Sequence, residues 1–145
     1  MEPSLYQTLP VIALAGFVAA GFLVCLRPSA GTAPSAWMLP AGLAAMFLAW
    51  SAFTLAGQGL AGVWAEHTRN AWGNQIWFDL LLAVGCAFVL LAPRARAAGM
   101  RLVPWFVIIA CTGCIGLMAM LARCMFLEMR AANAAAAPGM RSVRA

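Results

Sequence analysis

The chain predicts an all-α integral membrane protein, a bundle of four transmembrane helices. Hydrophobic residues make up 65% of its 145 positions and charged residues only 9%, and the mean hydropathy is +0.90. A water-soluble domain carries about 25% charged residues, so this little charge could not cover an aqueous surface. The apolar residues gather into four runs, residues 9–26, 37–60, 76–92 and 103–127. Each is close to the roughly 20 residues that a helix rising about 1.5 Å per residue needs to cross about 30 Å of hydrocarbon. The connections are short. Residues 1–130 therefore read as one transmembrane domain, and residues 131–145 as a low-complexity tail expected to be disordered.

The first run, LPVIALAGFVAAGFLVCL, has Pro10 in its first turn, where a missing N–H costs little. Gly16 and Ala20, four apart, give it a small-residue face for close helix packing. No Lys or Arg precedes it and Arg27 follows it, so it reads as a retained span and not as a cleaved secretory signal. The second run opens at Trp37 with Pro40 in its first turn; Trp50, Ser51, Thr54 and Gln58 are its polar or amphipathic members. Residues 62–75, GVWAEHTRNAWGNQ, set Glu66, His67, Arg69, Asn70, Asn74 and Gln75 among Trp64 and Trp72. That mixture suits a stretch lying in the head-group region. The third run carries Asp79 and gives way to an arginine-rich turn with Arg94, Arg96 and Arg101. The fourth passes through Cys111, Thr112, Gly113 and Cys114 to Arg123, and Thr112 with Gly116 forms another packing pair.

Asp79 is the sharpest chemical signal. A carboxylate within a span costs about 2.5–3.5 kcal/mol on insertion scales, so it should face protein or water. Four antiparallel spans make Arg123 its natural partner, in a structural ion pair or a binding site. A further polar cluster, Gln58, Glu66, His67, Asn74 and Gln75, lies on the same side of the membrane under that topology. His67 is the only histidine and supplies no metal-ligand spacing. Cys111 and Cys114 form a C-x-x-C pattern, but hydrocarbon raises a thiol pKa and makes it inert. A membrane thiol oxidoreductase is thus the weakest of three readings. No catalytic motif occurs and no metal site and no cofactor is expected; Trp50 reads first as packing within the bundle, with a bound lipid or pigment as the alternative.

The net charge of +5 comes from arginine alone, since Lys is absent. Beside so many Ala and Gly residues, this suggests a GC-rich bacterial gene and an inner (cytoplasmic) membrane. Arginines flanking apolar runs meet phospholipid head groups, and nucleic acid is not an expected partner. With four crossings, Arg27, Arg94, Arg96 and Arg101 share one side, and Arg69, Arg130, Arg141 and Arg144 the other, with Arg123 at its edge. The positive-inside rule weighs short loops most, so the turn holding Arg94, Arg96 and Arg101 is expected to be cytoplasmic.

Residues 72–123 resemble the DUF2834-type family of small bacterial membrane proteins of unknown function. The resemblance rests on an Asn before an apolar span with an early Asp-Leu (Asn74, Asp79, Leu80), a turn ending A-R-x-x-G-M-R, an aromatic start to the next span and a terminal Leu-x-x-Arg. It implies a small helical membrane protein with no assigned activity. The function expected from the residues is non-enzymatic: an accessory, assembly or interaction subunit, packed against other membrane subunits or against copies of itself. The alternative is a carrier or binder of a small molecule, lipid or pigment around Asp79 and Arg123.

Overall fold

The structure, a computed structural model, describes residues 3–26 and 33–141. Among them it has six helices and no strand: α1 Pro3–Leu26, α2 Met38–Gln58, α3 Leu60–Thr68, α4 Ala71–Ala97, α5 Leu102–Thr112 and α6 Cys114–Arg141. They fall into two units, Met1–Ala33 and Pro34–Ala145. Three helices are long and apolar enough to cross a membrane, over Tyr6–Leu23, Met38–Gln58 and Ala71–Ala97. The chain is therefore an all-helical membrane protein by length and composition, but with three such helices and not the four expected. Arg27 and Arg144 lie outside the described residues.

Among the described residues, the first unit holds the single helix α1. It begins at Pro3, a residue suited to a first helical position, so Pro10 is interior to the helix and not in its first turn.

In the second unit, α2 closely follows the expected span and ends at Gly59, whose φ of 71° and ψ of 167° turn the chain into α3. The polar connection is mostly helical. Asn70 caps α4 by accepting from the Gly73 N–H at 2.9 Å, which draws Trp72, Asn74 and Gln75 into the first turns of α4. Gly73 is needed for the approach of α3 to α4: a Cβ there would stand 2.5 Å from the Glu66 carbonyl oxygen. At the other end α4 runs past Pro93 to Ala97. It closes in a Schellman turn, with Met100 N–H donating to Ala95 O and Gly99 N–H to Arg96 O, each at 2.9 Å. Gly99, at φ 77°, takes the left-handed position, and Met100 and Ala95 are both buried.

The expected fourth span is broken at Gly113. Its φ of 59° and ψ of −125° suit only glycine, and the chain reverses there. Gly116, at the start of α6, comes so close to α5 that a Cβ on it would lie 3.0 Å from backbone atoms of Ile109. Thr112 ties the reversal: its Oγ1 donates to Ile108 O at 2.6 Å and accepts from the Gly116 N–H at 3.1 Å. The two helices form a hairpin. With 11 residues, α5 is about 16 Å long, half of a bilayer's hydrocarbon thickness.

The core lies where this hairpin packs on α4. Leu91, Ala95, Met100, Ile109, Met120 and Cys124 form one buried cluster, with Val84, Phe88, Leu117, Leu121 and Leu127 packed against it. Arg94 meets Glu128 across this face. If α6 ran antiparallel to α4, Val84 and Phe88 would pack beyond Glu128, where residues 131–135 are exposed. The two helices are thus parallel, with α5 returning between them. Trp37 rests edge-on against Phe126 at 5.3 Å, and Pro40 and Ala44 are buried on α2. By the same reasoning α2 runs antiparallel to α6. Between them, α6 keeps α2 and α4 out of contact, and α3 touches both at the opposite end.

Past Leu127 the helix continues through the segment expected to be disordered, as far as Arg141. The run Ala134–Ala137 is a strong helix former.

Candidate functional site

Two polar regions stand at opposite ends of the second unit. The first is built by α4 and α6. Arg94 grips Glu128 with two parallel hydrogen bonds, Nε to Oε1 at 3.1 Å and Nη2 to Oε2 at 2.8 Å. This is the bidentate geometry that Arg and carboxylate favour. The buried Cys124 thiol adds a contact from one turn earlier, Sγ to Oε1 at 3.6 Å. The Arg94 hydrogen bonds hold the Glu128 carboxyl below its ordinary range, against the opposing pull of burial. Arg130 lies over the Phe126 ring at 5.8 Å. Phe126 in turn packs on Trp37, so the start of α2, the end of α4 and the outgoing part of α6 share one end of the unit.

The second region is a groove of about 300 Å³ between α2 and α3, lined by Trp50, Ser51, Thr54, Gln58, Glu66 and His67 among others. Their local bonding is already committed. Thr54 Oγ1 donates to Trp50 O at 3.0 Å, one turn back on its own helix. Glu66 pairs with Arg69 at 3.3 Å, with both side chains largely exposed. His67 Nδ1 lies 2.6 Å from Val63 O. A carbonyl only accepts, so Nδ1 carries a proton and donates it to Val63 O. The ring is held edge-to-face against Trp77, 4.7 Å between centroids. The groove presents an aromatic wall, an amide, an imidazole and a carboxylate, which do not form a nucleophile and base pair.

The structure brings together only part of what the sequence singles out. Gln58, Glu66 and His67 meet in the groove. Asn74 lies outside it, reaching back to Asn70 O at 3.3 Å, and Gln75 is exposed on the first turns of α4. Asp79 and Arg123 are both exposed and are not joined. The expected pairing assumed that the fourth apolar run returns antiparallel to the third. In the hairpin, α6 runs parallel to α4, and the register fixed by Arg94 and Glu128 sets Arg123 level with residue 89 or so. That is about 15 Å along the axis from Asp79. Glu66 and Glu128 each have an arginine, whereas Asp79 has no ion-pair partner among the described residues.

Thr112 and Gly116 do pack, but across the hairpin reversal and not along one helix face. Gly16 has nothing within 4 Å of where a Cβ would stand, and Ala20 is exposed on α1. Cys111 and Cys114 flank the Gly113 break as free thiols, one exposed and one half-buried. No group of three or more His, Cys, Asp or Glu residues placed to hold a metal occurs among the described residues. Sequence reasoning missed the pair of Arg94 with Glu128. Its signal was Gly113, a helix breaker midway along an apolar run, which changes which charges share an end.

No family model matches the chain, and neither a curated protein nor a solved structure is significantly similar to it.

Proposed function

We propose that this is a small non-enzymatic protein of the bacterial inner membrane, working as an accessory or assembly subunit whose helices dock against those of another membrane protein or a second copy. The observation that carries this reading is Asp79. It is exposed on α4, a helix apolar enough to span the bilayer, and has no ion-pair partner among the described residues. A carboxylate so placed is costly in lipid and calls for a cation or polar group from elsewhere. Ala83 and Cys86, one and two turns on, are also exposed, and such small side chains allow a neighbouring helix to approach closely. Gly42, Gly57 and Gly85 support the same reading. Each sits inside a helix with nothing within 4 Å of where a Cβ would stand. Helical glycine costs roughly 1 kcal/mol against alanine, and no packing around these three repays it.

The test is purification from native membranes in a mild detergent. The wild-type chain is expected to carry a stoichiometric partner or a second copy, and Asp79→Asn to lose most of it at unchanged protein level. A wild-type chain that elutes as a lone monomer from every mild detergent would sink the subunit reading.

A second reading, a binder of a lipid or other small amphiphile, is favoured by the groove holding Trp50, Gln58, Glu66 and His67. It expects a co-purifying small molecule visible by native mass spectrometry, and its loss in His67→Leu. A chain that carries none in any preparation argues against it.

A further inference from the structure

We infer that the hairpin of α5 and α6 turns back inside the bilayer, and that this gathers Arg94, Arg96, Arg101 and Arg130 into a surface that holds anionic phospholipid head groups of the cytoplasmic leaflet. This rests on the membrane reading and extends it. Three observations carry it.

The first is length. With 11 residues, α5 reaches only about half of the hydrocarbon thickness before Gly113 reverses the chain. The second is the fixed register. Glu128 meets Arg94 at 2.8 Å and Trp37 meets Phe126 at 5.3 Å. After the reversal the chain is therefore back beside the end of α4 and the start of α2, not at the far side where α3 lies. The third is charge. Four crossings divide the arginines almost evenly. With the turn-back, Arg94, Arg96, Arg101 and Arg130 lie at one end and Arg123 less than two turns short of Glu128, while among the described residues the opposite end of this unit keeps Arg69. At the crowded end the acidic residue is Glu128, and Arg94 already occupies it. Arg96, Arg101 and Arg130 are exposed and have no carboxylate partner among the described residues. Unpaired guanidinium groups at the end of apolar helices match lipid phosphate in both charge and height. The same asymmetry puts this end in the cytoplasm under the positive-inside rule.

The topology is read by placing single cysteines, Asn70→Cys or Ala135→Cys, in a variant with its five native cysteines replaced by alanine. A membrane-impermeant maleimide is then applied to intact and to lysed cells. Asn70→Cys is expected to label in intact cells, and Ala135→Cys only after lysis. Labelling of both from one side means a fourth crossing and overturns the turn-back; the reverse pattern overturns the orientation. Should the cysteine-free variant fail to accumulate, protease protection of a C-terminal epitope on the otherwise unchanged chain reads the same face. Release of the chain from membranes by alkaline carbonate would instead remove the membrane reading itself.

For the lipid surface, the purified protein is titrated with fluorescent phosphatidylglycerol in neutral detergent. Combining Arg96→Gln, Arg101→Gln and Arg130→Gln is expected to weaken binding by about fivefold per arginine, with no competition from inorganic phosphate. Equal binding by the triple variant, or competition by phosphate, overturns the lipid surface.

Discussion

The two ends of the second unit are held by different means. At the arginine end three helices converge above a core whose largest fully buried side chains are Met120 and Cys124. Ala95 is fully buried there, and the Arg94–Glu128 pair joins residues 34 positions apart. At the groove end α2 and α4 stand apart, α3 crosses between them, and no residue of α3 is buried. Its bonding is local, from Thr54, His67 and Thr68 to carbonyls four residues back. In lipid, hydrophobic transfer does little to drive helix against helix, and contact is held by dispersion and small-residue packing. The contrast shows where that packing is spent: one end is closely packed, and the other is open.

The largest loss of stability is expected from the core beneath the arginine end. Met120→Ala removes a fully buried side chain and is expected to cost about 2–5 kcal/mol, read as a large fall in the melting temperature of the detergent-solubilised protein. Met120→Leu, close in volume, should cost less than about 1.5 kcal/mol. If the two variants melt alike, the tight core at this end is not what stabilises the unit. A smaller effect is expected at the groove end from Gly73→Ala. Its new methyl meets backbone, the Glu66 carbonyl, which cannot swing aside as a side chain could. A loss of about 1–3 kcal/mol, with altered fluorescence of Trp77 beside His67, would show α3 forced off α4.

The smallest effect belongs to the ion pair. Arg94 and Glu128 side chains are 51% and 41% exposed, so solvent screening limits Glu128→Gln to about 1 kcal/mol or less. Its pH dependence has a definite sign. The Glu128 carboxyl is lowered in the folded state by its hydrogen bonds from Arg94. The contribution is present above the unfolded carboxyl value and disappears as pH falls through the folded one. Wild type and Glu128→Gln should therefore differ in melting temperature at neutral pH and converge in acid. A gap that widens on acidification would contradict this assignment.

Much of the architecture was legible in the residues because lipid solvent imposes a simple rule on apolar runs. Helices α1, α2 and α4 follow from it, and α2 ends within two residues of its expected limit. The rule fails where a run contains a residue with unusual backbone freedom. Gly113 looks like a packing glycine within an apolar stretch, as Gly85 does. Only Gly113 takes a conformation closed to other residues, and neither hydropathy nor helical spacing reports it. From that one misreading follow the expected fourth crossing and the expected pairing of Asp79 with Arg123. The polar cluster fared differently. Gln58, Glu66 and His67 converge because Gly59 turns α3 beneath α2, whereas Asn74 and Gln75 were absorbed into α4 once Asn70 supplied its cap.

The reversal at Gly113 also bears on how the protein is made. An 11-residue helix is too short to hold a place across the bilayer by itself. Its packing partner across the reversal exists only after α6 has been translated. Until residue 128 emerges from the ribosome, Arg94 waits without its carboxylate, so the most tightly built end of this molecule is the last to be completed.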